Sequence, residues 1–202
     1  MSALDSALRV SYATVVWSTL SGLASVVVAV QTGSLSLAGL GVGVLIDVLS
    51  SAVLVWRFRQ QRDGGKSHMR AERRAQMVAA VGLLLLGVSL VGTGIQHLVV
   101  GHTSHPNGLA IGLAAAALVV LPGLAAWKYR AAAAVPSRAL RTDAHITLVG
   151  AATSAFALVG LVLTKTLAWE WPDPSAAILI GIIAANEGRK ALREVAANPS
   201  IR

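Results

Sequence analysis

The chain has 202 residues, of which 55% are apolar and only 13% charged, and its mean hydropathy of +0.68 excludes an ordinary water-soluble domain. Its formal charge of +8 does not argue for nucleic acid, because the basic residues cluster between apolar stretches of spanning length, as in the loops of a membrane protein. There is no cysteine, so disulfides, thiolate metal sites and thiol catalysis are excluded.

The first predicted helix covers 12–30. More apolar spans follow it, so it reads as a retained helix and not as a signal peptide. Ser18, Ser21, Gly22 and Ser25 lie on related faces and suit helix packing. A short QTGS turn leads to the second helix, 34–57, which carries a single acid, Asp47, near its middle. Placing a carboxylate in hydrocarbon costs on the order of 3 kcal/mol, so Asp47 is expected to face the protein interior and to serve function. Gly39, Gly43, Asp47, Ser50 and Ser51 share one helix face, while Leu45, Val48, Leu49, Val53 and Leu54 are bulky and apolar on the other.

A basic stretch at 57–74 precedes the third helix, 75–100, and GHTSHPNG forms an uncharged loop before the fourth, 109–127. KYRAAAAVPSRALR connects to the fifth helix, 142–163, and TKTLAWEWPDP to the sixth, 175–189. The expected architecture is an all-α membrane protein. It has one six-helix transmembrane domain over 1–202 and no cytosolic C-terminal domain. Lysines and arginines fall before the first helix, after the second and fourth, and in the tail, with Lys165 alone on the other side. By the positive-inside rule both termini are cytoplasmic. Trp56 and Trp127 then mark inner helix ends, and Trp169 and Trp171 an outer one.

Five pieces of sequence occur in a telling order: TGSLSL…IDVLSS, HMRAER, TGIQHL, SRALRTDAH and WPDPSAAILIGIIAANEGRKALRE. Together they resemble the transmembrane domain of the cation diffusion facilitator family, over nearly the whole chain and most closely its branch without a C-terminal cytosolic domain. The resemblance implies a homodimer in a bacterial-type inner membrane that moves a divalent cation, zinc foremost, out of the cytoplasm in exchange for protons. In that family the site uses two acids four apart on helix two, and a His and an Asp four apart on helix five. Carried over residue by residue, the second acid is Asp47. The other three positions hold Gly43, Ile146 and Gly150, so three ligands of the pattern are replaced.

Asp143 and His145 are the candidates to complete a metal site with Asp47. Counting about 1.5 Å per residue, Asp47 lies about 14 Å from Trp56 at the inner end of its helix, and from Ser137 His145 lies about 12 Å in and Asp143 about 9 Å. Depth therefore favours His145. The helical wheel favours Asp143, which shares a small, polar face with Thr147, Gly150 and Ser154, while His145 points roughly 160–200° away. Asp143 reads first as an N-terminal cap or first-turn acid, and His145 as an interfacial or helix-packing histidine, with ligation the second reading of each. An oxygen-rich site fits manganese or magnesium as well as zinc.

His68, His97, His102 and His105 carry little as ligands, and Glu187 reads as an interfacial ion pair with Arg189 or Lys190. GLGVG lies inside a spanning helix and is a packing motif rather than a dinucleotide fingerprint. No Ser–His–acid or HExxH pattern points to an enzyme, and no organic cofactor or nucleic acid is implied. The alternative to transport is a family member that no longer transports and acts as a membrane partner or regulator. Tight contact between Gly43 and Gly150 would favour it, whereas a cavity beside Asp47 would favour transport.

Overall fold

The computed structural model describes residues 3–62, 69–101, 104–134 and 138–197. These form six helices and no strands: α1 (Ala3–Thr32), α2 (Leu35–Arg62), α3 (Met69–Val100), α4 (Gly108–Ala134), α5 (Arg138–Leu167) and α6 (Pro172–Ala197). Each runs longer than its apolar stretch predicts, because backbone hydrogen bonding continues through polar flanks that hydropathy alone leaves out.

Five helices (α1 to α5) are long and apolar enough to cross a bilayer. α6 has the length, 26 residues, but carries Glu187, Arg189, Lys190, Arg193 and Glu194 in its second half. It is amphipathic: Ala176, Ala177, Ile180, Gly181, Ala184 and Gly188 form its buried stripe. On the outside of the bundle, large apolar side chains such as Leu20 and Val27 of α1 and Leu85 and Val88 of α3 are exposed. An apolar exterior of this kind is suited to lipid.

The helices pack as α1 along α2, α3 along α6 and α4 along α5, and α2 touches all five others. Gly33, at φ 68°, makes the left-handed turn that ends α1 and lets α2 fold straight back. The α3–α6 pair depends on missing side chains. A Cβ on Gly181 would lie 2.8 Å from the Gly87 carbonyl oxygen and 3.0 Å from Leu90 Cβ. Gly181→Val is therefore expected to push the helices apart and destabilise the fold by about 1–3 kcal/mol. Thermal unfolding in detergent reads this directly, and an unchanged Tm would contradict the close approach.

At the end away from the basic residues, α2 is capped from another helix. Asp173 of α6 is buried and accepts hydrogen bonds from the Ser34 hydroxyl (2.8 Å), the Leu35 N–H (3.1 Å) and, at very short range, the Ser36 hydroxyl. The carboxylate thus meets the positive end of the α2 dipole as well as an unpaired N–H. Asp173→Ala leaves all three donors without this acceptor, and a loss of about 2–4 kcal/mol is expected. A shift in Tm too small to resolve would show that water substitutes for the cap.

Two apolar clusters fill the interior. The larger joins Val28, Leu40, Val44, Leu121, Leu161 and Ile180. The smaller, towards the basic end, joins Leu8, Leu54, Phe58, Ala131 and Leu140. In sequence, the gaps between the two clusters on α1, α2, α4 and α5 hold the buried polar residues Thr14, Ser18, Asp47, Ser51, Lys128, Asp143 and Thr147. Four helices thus contribute to one polar layer between two apolar ones.

Candidate cation site

α2 brings Gly39, Gly43, Asp47 and Ser51 to one face by their spacing of four. α5 brings Asp143 and Thr147 to the opposing face by the same rule. Between them lies a residue that the sequence reading places in a loop. The fourth helix is expected to end at 127, yet α4 continues to Ala134, and Lys128 is fully buried. A signal for it exists in the sequence. Ala110, Ala114, Ala117, Leu121, Ala125, Lys128 and Ala131 recur at spacings of three and four, so the lysine sits on the buried stripe of its helix.

The ammonium of Lys128 is surrounded by oxygen. It lies 2.6 Å from Asp143 Oδ2 and donates to Thr147 Oγ1 at 2.6 Å and Ser51 Oγ at 3.0 Å. Those three acceptors match its three N–H bonds. Asp47 Oδ1 is farther away at 3.8 Å, an ion pair without a direct hydrogen bond. Ser51 in turn donates to the Asp143 carboxylate (3.1 and 3.2 Å). The Thr147 hydroxyl lies within reach of Asp47 (3.2 and 3.4 Å) and of the Asp143 carbonyl (3.0 Å), and its single proton serves one of them at a time. Ser18 of α1 adjoins Asp47, but its buried hydroxyl closes no hydrogen bond of good geometry.

The expected ligands therefore divide. Asp47 and Asp143 converge, joined through Lys128. Asp143 is not a cap, because α5 begins at Arg138 and the acid lies beyond its first turn. His145 is not brought to the pair. Two positions on from Asp143, it is turned to the other side of α5, half exposed, with Nε2 3.6 Å from Glu187 Oε2. Glu187 also accepts from Lys190 at 2.7 Å, the ion pair expected from sequence. His68 and His102 lie outside the described residues, and His105 is exposed. Among the described residues no three His, Cys, Asp or Glu side chains converge.

Beside Asp47 lies a cavity of about 40 Å³, enough for a water or two. Gly43, Ile146, Gly150, Thr147 and Glu187 line it with Asp47, so the three positions where family ligands are replaced border one space. A Cβ on Gly43 would meet nothing within 4 Å, and one on Gly150 would meet only Leu121 Cδ1, at 3.4 Å. The two glycines do not pack against each other.

Comparison with known proteins agrees with this architecture. The chain is 28% identical over 190 residues to Transmembrane protein 163 of Xenopus laevis, covering 94% of this chain and 67% of that protein. It is 33% identical over 140 residues to the uncharacterized transporter YdbO of Bacillus subtilis (strain 168), covering 67% of this chain and 48% of that protein. To the uncharacterized transporter sll1263 of Synechocystis sp. it is 27% identical over 169 residues, 81% of this chain and 54% of that one. The chain thus spans about half the length of these last two relatives. The family model for the cation efflux transmembrane domain matches residues 11–198, and the chain belongs to that family of membrane cation transporters.

Proposed function

We propose that the protein moves a divalent metal cation across the bilayer, with Asp47 and Asp143 as the carboxylates that hold the cargo. One observation carries this reading: two buried acids from facing helices meet at a single cation-sized position inside the apolar bundle. Intramembrane acids that face the bundle interior mark ion pathways as a rule. Zinc is the cargo the family resemblance implies, with exchange for protons. An all-oxygen donor set also suits manganese. The same resemblance supports a homodimer and α6 as a sixth span whose polar end lies at the membrane surface, and the distribution of lysines and arginines supports cytoplasmic termini.

A second reading has its own support. Lys128 already neutralises one of the two acids, as a bound cation would, and a permanent ion pair of this kind fits a partner or regulatory protein that does not transport. The empty space beside Gly43, where that reading expects close packing, weighs against it. Zinc uptake into proteoliposomes under an imposed pH gradient separates the two. Transport predicts flux well above protein-free vesicles, and flux equal to theirs would leave the second reading.

A further inference from the structure

We propose that Lys128 is a tethered surrogate cation: its ammonium holds the position formed by Asp47, Ser51, Asp143 and Thr147 when cargo is absent, and a divalent cation binds there by displacing it. The proposal rests on the cation-transport reading and names how that site is regulated. Lys128 is the one cationic side chain buried among the described residues, and it brings no oxygen of its own. All three groups that receive its protons are oxygens able to ligate a metal. With Asp47 they form two pairs spaced by four, Asp47 and Ser51 on α2 and Asp143 and Thr147 on α5, so the shell belongs to those helices and the lysine enters it from α4.

The shell is not saturated by its occupant. Two carboxylates face one ammonium, which leaves an excess negative charge on the Asp47 side, where the ion-pair distance is longest. That side borders the cavity, so a cation arriving there meets Asp47 before it meets the lysine. Metal–oxygen bonds of about 2.0–2.6 Å need only a modest inward shift of oxygens now 2.6–3.8 Å from Nζ. The ammonium is carried on a flexible four-carbon stem that can withdraw without moving its helix. A tethered competitor acts at high effective concentration, so its removal has a large effect on affinity.

Isothermal titration of Zn²⁺ and Mn²⁺ into the detergent-solubilised full chain tests this. Lys128→Met is expected to bind at least about 10-fold more tightly than wild type, whereas Lys128→Arg, which keeps the charge, is not. Equal or weaker binding by Lys128→Met, with wild-type binding lost in Asp47→Asn, overturns the surrogate role and leaves the cation-transport reading standing. Absence of binding in all variants overturns both. Wild type supplies an independent measurement should the lysine variants misfold. Acylation of Lys128 by a membrane-permeant amine reagent is expected to rise in saturating Zn²⁺, and unchanged labelling overturns the proposal.

Discussion

Proteoliposomes carrying Asp47→Ala are expected to pass zinc at least about 100-fold more slowly than wild type, since even groups that only support a metal ligand cost 10–100-fold when lost. The effect should be large because Asp47 is the one of the two assigned carboxylates that borders the cavity. Gly43, Ile146, Gly150, Thr147 and Glu187 line the cavity with it, and Glu187 is already paired with Lys190. Asp47→Ala also spares the shortest ion pair, between Lys128 and Asp143, so the bundle should remain folded. Melting within a few degrees of wild type would establish that the loss belongs to conduction and not to folding. Equal flux from the two proteins would remove Asp47 from the pathway.

Asp143→Asn is expected to act on stability. It leaves a buried ammonium facing a neutral amide, two hydroxyls and a carboxylate 3.8 Å away, and breaking one side of a buried pair costs about 3–5 kcal/mol. Adding Lys128→Met to Asp143→Asn removes the uncompensated charge as well. The double variant should therefore be more stable than the single one, with a coupling energy of about 2 kcal/mol or more. Denaturant unfolding in mixed micelles measures the cycle. Additive losses would mean that the 2.6 Å contact contributes nothing specific.

Much of this site was legible in the chain, and the gaps have definite causes. A lone acid in a long apolar segment, with small residues four positions away on its own face, identified Asp47 and its orientation. For Asp143 and His145 the sequence offered depth and helical phase as opposing guides. Phase decided: side chains two positions apart on a helix cannot face one site, so His145 points to Glu187 while Asp143 points to α4. Lys128 was hidden by its type. A lysine after the last hydrophobic residues of a span reads as the first loop charge, and only the continuation of the buried alanine stripe to Ala131 shows that the helix runs on.

Asp173 was hidden for a different reason. Its partners, Ser34, Leu35 and Ser36, lie 137 to 139 residues away, and no local pattern announces that an acid from α6 caps α2. Hydropathy also understated α6, whose charged half sits on the same helix as the small residues that dock it against α3. The helix pairing follows from shape instead. Gly181 opposite Gly87 lets two backbones meet where any larger residue would hold them apart.

The central claim is that Asp47 and Asp143 form one cation position, held by Lys128 until cargo takes it. Anomalous scattering at the zinc edge, from crystals grown with Zn²⁺, tests this most directly. The account predicts a peak about 2.0–2.2 Å from carboxylate oxygens of both acids, with the Lys128 ammonium withdrawn. Zinc found only at exposed groups such as His145 or His105, with the ammonium still seated against Asp143, would contradict it.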